Sequence, residues 1–505
     1  MKAMGAKIRK LPIRRGGSTL LGLLILAMTT APLYGQEGIS PPQPKVERKN
    51  RAPVSRDILQ VKLPKPIEAK LSNGLTVLIL EDHRAPFINL QLHIEGAGAL
   101  FEPRDMAGLA NATAAMLREG TATRSSIQIA EQIDRLGAVL GAGTSFGSPD
   151  AVLSASGLSM NFDDWFAVAV DVLLHPSFPA DELEKLKQRQ RAEVREQRSA
   201  AGFLVSERFN RAVYGEHPAA IISPTVASID RLNREALIEW HRQRYAPQQA
   251  ILGVAGDVHP KEFVAKLEQE LAGWKKNAVQ EDWPPDPAPA KARKIILVNR
   301  PNSVQTTLAL GNIAINRLSP DYPAMVVMNH VLGGGASSRL FLNLREEKGY
   351  TYGVYSDFSA LQYPGAWRAG GNMRTEVTDG ALTEFFNEFR RIREEDVPPA
   401  ELEASKRSIV ASFALSLEQP ARILSFAIIA KQYHLPANYW DTYPTKIMAV
   451  SAADVQRVAR KYLDPQAMQM VAVGDAAKIE AILARYGKVE VFDTNGSSAA
   501  TAAAP

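Results

Sequence analysis

Arg345 and Tyr352 lie seven positions apart in a stretch whose spacing can bring both side chains to one point. Residues 332–356 read LGGGASSRLFLNLREEKGYTYGVYS. Their three consecutive glycines permit tight or positive-φ backbone: Gly333, Gly334 and Gly335. A short helix should follow and end at Gly349, a natural C-cap, and residues 350–356 then alternate as a strand. Arg345 thus falls in the last helical turn and Tyr352 early in the strand, where a cation and a phenol can converge.

The same two side chains also have an ordinary structural interpretation. Arg345 can be a cation at a helix C-terminus, where the helix dipole favours positive charge. Tyr352 can be an aromatic residue packed on a strand. The residues alone leave both interpretations open.

Other familiar chemistries find no support in the sequence. The chain has no cysteine, so thiol catalysis, disulfides and cysteine-ligated metals are excluded. It contains no Walker loop, dinucleotide fingerprint or Gly-x-Ser-x-Gly elbow. Its eight histidines are scattered, with no histidine four positions away and no adjacent ligand cluster, and each is interpreted as a surface or satisfied core residue: His83, His93, His175, His217, His241, His259, His330 and His434.

Residues 1–35 have the composition of an export signal. They hold six basic residues, no acidic residue and the apolar run Leu20–Ala31, which is short for a membrane span. We expect a signal peptide at 1–35, export to the periplasm or the extracellular space, and no stable membrane anchor; an uncleaved anchor is the alternative. The net charge is +5, and without this segment it is about −1, which gives no support for nucleic-acid binding.

The rest of the chain divides at a proline-rich run. Trp283–Ala290 reads WPPDPAPA, with four prolines in eight residues, and cannot lie inside a helix or a central strand. The predicted organisation is an extended lead-in at 36–62, a first domain at 63–275, a linker at 276–293, a second domain at 294–491 and a disordered tail at 492–505.

The two predicted domains end alike, which indicates a duplication. Each ends with a helix that terminates at a tyrosine, then an apolar strand, then a Gly-Asp dipeptide. The spacing from proline to glycine is nine positions in both, from Pro247 to Gly256 and from Pro465 to Gly474. Periodicity predicts strands at 75–81, 87–94, 151–158, 294–298 and 305–313, and helices at 107–117, 127–136, 181–199 and 322–332. The predicted fold class is α+β, with two homologous α/β-sandwich domains in which antiparallel sheets pack with helices.

Residues 108–121 supply the strongest family signal. They read GLANATAAMLREGT and resemble the active-site helix of the pitrilysin/insulinase superfamily, in its mitochondrial-processing-peptidase-like branch. Those zinc peptidases carry His-x-x-Glu-His, the inverted zincin motif, between a Gly-Leu-Ala lead-in and a Gly-Thr exit. Here the motif positions include Asn111, Ala114 and Ala115, which offer no imidazole, thiolate or carboxylate. We therefore expect this chain to bind no metal or other cofactor.

The resemblance covers about residues 63–491 and implies further site residues. Glu193 fits the place of the family's third ligand, and alone it is interpreted as a vestigial carboxylate. The glycine-rich stretch is similar to the family's second-domain signature, so its three glycines are expected to contact substrate. The resemblance also implies that Arg345 holds substrate oxygens and that Tyr352 donates a hydrogen bond to the tetrahedral oxyanion.

In this branch, active peptidases are often assembled from two unlike subunits, one with the zinc motif and one with the Arg/Tyr pair. The resemblance therefore implies a zinc-free subunit of an exported heterodimeric metallopeptidase. Arg345 and Tyr352 would complete the active site of a zinc-containing partner in trans, on peptide or unfolded-protein substrates. A structural or assembly subunit and a stand-alone peptide-binding protein without proteolytic activity are the alternatives.

Overall fold

Two six-stranded sheets, each packed with helices, form the framework. The structure, a computed structural model, describes residues 57–278 and 282–498. The predicted signal peptide at 1–35 and residues 36–56 of the lead-in lie outside the described residues. The predicted α+β fold class is confirmed.

The first sheet collects strands from the first half of the chain. They are β1 (Ile67–Lys70), β2 (Thr76–Glu81), β3 (Phe87–Glu95), β4 (Val139–Gly143), β5 (Asp150–Leu158) and β6 (Ala250–Gly256). The order is β1-β2-β6-β3-β5-β4. Only β2 and β6 are parallel neighbours, and the other pairs are antiparallel.

The second sheet repeats this topology. Its strands are β7 (Ile295–Asn299), β8 (Gln305–Ile313), β9 (Thr351–Phe358), β10 (Ala366–Arg374), β11 (Gln469–Gly474) and β12 (Val489–Phe492). The order is β12-β7-β11-β8-β10-β9. As in the first sheet, the second strand of the order, here β7, is parallel to the third, β11, and the strands that follow pair antiparallel. The edge strand differs, because β12 is parallel to β7 whereas β1 is antiparallel to β2. The predicted duplication is therefore visible in strand order and direction.

Helices follow the strands in a similar sequence in both halves. In the first half they are α1 (Leu109–Met116), α2 (Ser126–Arg135), α3 (Phe162–Leu174), α4 (Ala180–Gln197), α5 (Ala201–Tyr214), α6 (Val226–Arg231), α7 (Arg234–Arg244) and α8 (Pro260–Glu270). In the second half they are α9 (Tyr322–Leu332), α10 (Arg339–Phe341), α11 (Thr378–Glu394), α12 (Pro399–Ser416), α13 (Pro420–Gln432), α14 (Tyr443–Met448), α15 (Ala452–Tyr462) and α16 (Ala476–Ala484).

Local sequence explains where these elements form. Strand β3 buries alternate residues from Ile88 to Ile94, the pattern of a strand with one face on a core. Helix α2 begins at a capping box in which Ser125 and Gln128 satisfy each other's backbone N–H groups. Strand β8 is buried on both faces after its first residue. Other elements of the chain must therefore pack on each face of the second sheet.

Each half covers the outer face of the other half's sheet with one helix. Helix α5, from the first half, packs on β8 and β11 of the second sheet through Leu204, Val205 and Phe209. Helix α13, from the second half, packs on β2 and β6 of the first sheet through Leu424 and Ile428. Each half therefore depends on a helix of the other half, because a separated half would expose the apolar face that its missing helix covers.

The linker is anchored at its start. Asp282 accepts two hydrogen bonds from the guanidinium of Arg244, at 2.9 and 2.8 Å, and the ring of Trp283 meets that of Phe101 edge-on at 5.1 Å. Residues 282–290 contain no helix or strand. The domain boundaries at 275 and 294 stay predictions.

The predicted disordered tail is wrong over its first residues. Phe492 belongs to β12 and forms a β-bridge with Ser498. Between them, the Asp493 N–H donates to the Ser497 carbonyl at 2.9 Å. Backbone bonding therefore orders this turn despite its polar composition, and residues 499–505 lie outside the described part.

Candidate functional site

Helix α1 carries Asn111, Ala114 and Ala115 and belongs to the first core. It packs against α7 and β4. Ala112 and Thr113 are fully buried and Ala114 is 1% exposed, and the Thr113 hydroxyl donates to the Leu109 carbonyl at 2.9 Å. Small side chains fill these positions, so the helix is held by packing.

Asn111 is tied to the neighbouring loop. Its Nδ2 donates to the Thr144 carbonyl, directly after β4, at 2.8 Å, while its Oδ1 is buried without a hydrogen-bond partner among the described residues. Ala115 packs against the first core. Glu193 lies exposed on α4. Within residues 57–278 and 282–498, no group of three or more metal-binding side chains forms around α1.

A carboxylate holds the start of α1. The Gly108 and Ala110 N–H groups donate to the two Glu102 oxygens, at 2.8 and 2.9 Å, and thereby satisfy helix donors that have no partner within the helix. Burial raises the pKa of Glu102 to about 7, against the lowering effect of these backbone N–H groups. Glu102 thus holds the start of α1 through its backbone N–H groups.

The glycine-rich loop lies against edge strand β9. The Gly333 carbonyl accepts a hydrogen bond from the Ser356 N–H at 2.8 Å, and a Cβ on Gly333 would lie 2.3 Å from the Ser356 hydroxyl. Gly334 is exposed, and a Cβ on Gly335 would meet open space. None of the three glycines has positive φ. The glycine at position 333 is explained by the close approach of its backbone to Ser356. Substrate contact by the loop stays a prediction.

Arg345 lies on a π-helix, which the sequence did not predict. Helix α10 continues as a π-helix over Leu342–Glu347, a form that is rare and frequent at functional sites. Gly349 has φ +62 and its N–H donates to the Arg345 carbonyl at 3.1 Å, as predicted for a C-cap. The Arg345 guanidinium lies 4.7 Å from the Phe341 ring centroid, and the side chain is 45% exposed.

Two contacts make this segment rigid. Arg339 donates twice to the carboxylate of Glu401 on α12, at 2.8 Å in both bonds. Leu340 and Leu344 are fully buried in the second core. The backbone that carries Arg345 is therefore fixed by an ion pair and by packing, while its guanidinium remains accessible.

Tyr352 projects into solvent. It is 91% exposed on β9, and its hydroxyl has no hydrogen-bond partner among the described residues. An aromatic ring usually occupies the core or an interface, so packing within this chain does not explain the residue. The alternative interpretation of Tyr352 as a packed strand aromatic is wrong.

Tyr352 borders an open, polar pocket of about 470 Å³ on the second sheet. The start of α5 forms one wall through Gly202 and Val205, and Arg368 of β10 lies in the pocket. Arg368 donates to the Ser206 hydroxyl at 2.9 Å, and burial lowers the pKa of its guanidinium. Arg368 is a candidate substrate-binding cation that sequence reasoning missed, because no motif distinguishes it from other arginines.

Arg345 does not line this pocket. No hydrogen bond, ion pair or ring contact joins Arg345 to Tyr352 among the described residues. The two side chains flank the same turn from π-helix to strand. Both are accessible, although Arg345 Nε lies 3.5 Å from Glu346 Oε1.

A different cluster arises from histidines that looked isolated in the sequence. Glu81, His83 and His259 place one ligand atom each within 4.8 Å of the others. His83 and His259 are exposed, as the surface interpretation requires, and the pairing of β2 with β6 brings them together. No sequence spacing indicated this, since 176 positions separate them.

Among the described residues, no single helix is long and apolar enough to cross a membrane. The bent pair α12 and α13 passes that test together, with a bend of 110°.

Two family models match the chain. One described as insulinase (peptidase family M16) matches residues 76–223, and one described as peptidase M16 inactive domain matches residues 231–409. Together they span most of both halves.

Named relatives and solved structures agree with these matches. "Uncharacterized zinc protease YmxG" of Bacillus subtilis is 27% identical over 68% of this chain and 83% of its own length. An uncharacterized zinc protease of Rickettsia bellii is 27% identical over 80% and 96%. A peptidase M16 inactive domain from Pseudomonas fluorescens has a TM-score of 0.76 and 29% identity, over 81% of this chain and 98% of that one. A Helicobacter pylori protease, at 20% identity and TM-score 0.74 over 82% and 100%, shares the fold.

Proposed function

The chain belongs to the peptidase M16 family, and on this premise we propose that it is the zinc-free subunit of an exported heterodimeric metallopeptidase. A partner subunit of the same family supplies zinc and the His-x-x-Glu-His helix. This chain supplies Arg345 and Tyr352 in trans, and the substrate is a peptide or an unfolded protein. Export is proposed from the composition of residues 1–35 alone.

The absence of metal donors on α1 supports the zinc-free role. A catalytic zinc in proteins takes three protein ligands and a water. Asn111 is bonded to a backbone carbonyl, Ala114 is buried and Glu193 is exposed on another helix. This helix therefore has neither the ligands for zinc nor a carboxylate to activate water.

The observation that carries the in-trans role is the exposure of Tyr352. A tyrosine that is 91% exposed and unbonded contributes little to its own fold. It lies on a strand that pairs with β10 on one side and is bonded to Gly333 through Ser356. A phenol on a rigid strand can donate to a charge that develops in a neighbouring subunit's reaction.

Arg345 adds an exposed cation on the π-helix that precedes β9. Its guanidinium rests against Phe341 and does not form a bidentate pair with any described carboxylate. Arginine recognises carboxylate and peptide oxygens through its fork of donors. Arg345 would bind the substrate and Tyr352 the oxyanion, while the partner's zinc polarises the scissile carbonyl and activates water.

The edge of the second sheet suits a peptide substrate. Strand β9 pairs only with β10 and forms the sheet edge, so its other side has unpaired backbone groups upstream of Ser356. An extended peptide can add to such an edge through main-chain hydrogen bonds. The adjacent polar pocket with Arg368 can then take a side chain or a terminal carboxylate.

The test is to purify the full chain from its native cells through a C-terminal tag and to analyse the complex. We expect a stoichiometric partner with a His-x-x-Glu-His motif, and cleavage of a peptide library that needs both chains and stops on chelation. This chain alone should cleave nothing.

Two results would overturn the proposal. One is chelator-sensitive cleavage by this chain alone, because the α1 positions would then support catalysis. The other is a stoichiometric complex whose partner lacks the zinc motif, which would favour the structural or assembly role.

A further inference from the structure

A second cluster of metal-binding side chains lies at one end of the first sheet. Glu81 is the last residue of β2, His83 lies in the turn that follows, and His259 caps α8 just after β6. β2 and β6 are parallel neighbours with Glu81 opposite Gly256, so the segments that follow the two strands leave the sheet at the same end. All three side chains are exposed, which leaves them open to an ion from solvent.

The donor atoms are spaced for one small cation. Glu81 Oε1 lies 2.8 Å from His83 Nε2 and 3.6 Å from His259 Nδ1. Ligands of a tetrahedral zinc lie about 2.0–2.2 Å from the metal and hence roughly 3.3 Å from each other. The donor nitrogens of His83 and His259 lie within 4.8 Å of each other. Rotation of these exposed rings can bring the three separations to the spacing of a tetrahedral site.

We propose that Glu81, His83 and His259 form a binding site for one divalent transition-metal ion of the zinc type, with Asp257 as the residue that orients His83. Two imidazoles and one carboxylate suit zinc and its neighbours, whereas magnesium and calcium prefer oxygen ligands alone. Three protein ligands leave a fourth position for water.

The neighbouring carboxylate supports this assignment. Asp257 Oδ1 lies 2.7 Å from His83 Nδ1, and Asp257 Oδ2 accepts a hydrogen bond from the Ser159 hydroxyl at 2.6 Å. Metal-binding histidines commonly donate their other ring N–H to a carboxylate, which fixes the ring and the tautomer. With the Nδ1 proton donated to Asp257, His83 would offer the lone pair of Nε2 to the metal.

The backbone around the cluster is rigid. The Asp82 N–H donates to the Gly256 carbonyl at 2.9 Å, and the Asp257 N–H donates to the Phe87 carbonyl at 3.1 Å. Gly256 has φ +133, and a Cβ there would lie 2.0 Å from the Phe87 oxygen, so only glycine allows this crossing. The two chain segments that carry the donors are therefore locked together before any ion arrives.

The second half of the chain has the same scaffold without the donors. In the second sheet Asn299 lies opposite Gly474, as Glu81 lies opposite Gly256. Counting from these positions, Pro301 replaces His83 and Ala477 replaces His259. The fold therefore does not require two histidines and a glutamate at this edge.

This site is separate from the α1 positions. Strand β3 begins four residues after His83 and α1 follows the far end of β3, and this strand is about 27 Å long at about 3.3 Å per residue. With this site, the expectation from the sequence that the chain binds no metal applies only to the α1 positions. The site implies no peptidase activity.

The test is calorimetric titration of the untagged, metal-free full chain with zinc sulfate, with cobalt absorption as a second readout of ligand geometry. We expect one site per chain. His259→Ala should weaken binding at least ~10-fold, and Asp257→Asn should weaken it ~10–100-fold although it removes no ligand. Glu81→Gln provides a second ligand variant.

His175→Ala is the matched control, because His175 is an exposed histidine paired with a carboxylate, Asp171, at 3.2 Å, without a second histidine. It should bind zinc like the wild type. No one-site binding up to 100-fold molar excess, or unchanged affinity in both His259→Ala and Glu81→Gln, would overturn the proposal. Circular dichroism on each variant separates loss of binding from loss of fold.

Discussion

Replacing Tyr352 with phenylalanine separates a role in the reaction from a role in packing. The side chain is 91% exposed and its hydroxyl has no partner among the described residues. Removing one exposed oxygen should change the free energy of unfolding by less than about 0.5 kcal/mol. Removing a donor to a developing oxyanion typically lowers turnover by ~10²–10³, or about 2.7–4 kcal/mol. The expected kinetic effect is thus several times the largest expected stability effect.

The assay uses the reconstituted pair of this chain with its zinc-bearing partner. Steady-state cleavage of a fluorogenic peptide gives kcat and KM, and thermal unfolding of the single chain gives stability. Sedimentation of the mixture measures assembly. We expect kcat to fall, with KM, stability and assembly nearly unchanged, because the hydroxyl acts only when charge develops on the substrate.

The matched control is Tyr486→Phe. That ring stacks on Phe386 at 5.1 Å and lies after α16, apart from the candidate site, so its hydroxyl should be dispensable. If Tyr352→Phe supports cleavage at the wild-type rate, Tyr352 is not the oxyanion donor. If kcat falls equally in both variants, the loss is not specific to the site and the reasoning fails too.

Three further predictions concern capture, assembly of the halves and pH. Arg345→Ala should mainly raise KM in the pair, by the ~10–150-fold that corresponds to a charge-assisted bond of about 1.5–3 kcal/mol. Arg390→Ala, on the exposed side of α11, should leave KM unchanged. An equal rise of KM in both variants would refute substrate capture by Arg345. Proteolytic nicking within 276–293 should leave the two fragments associated on gel filtration, because α5 and α13 are exchanged; separation of folded fragments would show that the exchange is dispensable. Burial lowers the pKa of His241 to about 4, so its stabilising contribution is present above pH 6.5 and is lost as pH falls through 4, by at most about 3 kcal/mol. In His241→Gln the denaturation midpoint should therefore depend less on pH over this range. An unchanged pH dependence would contradict the assignment.

The sequence by itself determined the local elements and the missing chemistry. The strand at 305–313 and the helix at 322–332 have the bounds that periodicity predicted, because alternation and helical spacing follow directly from backbone geometry. That Ala114 and Ala115 carry no donor atom is equally local, and the zinc-free role inferred from these positions stays a proposal.

The π-helix around Arg345 was not predictable from periodicity. Over the few residues of α10 and its continuation, apolar spacing cannot distinguish α from π hydrogen bonding. The pair of buried Arg339 with half-buried Glu401 holds this segment from α12, a contact between residues far apart in the chain. The exposure of Tyr352 likewise depends on which edge β9 occupies, and strand order is a property of the whole sheet.

Only the tertiary structure decided what the two halves share and where distant donors meet. The apolar faces of α5 and α13 predict that each packs on a sheet, but not on which one, because hydrophobic burial is non-directional. His83 and His259 meet because β2 pairs in parallel with β6, and parallel strands joined by long connections leave no short-range signal. Composition and spacing therefore determine which chemistry is possible, whereas long-range strand pairing determines which side chains can carry it out together.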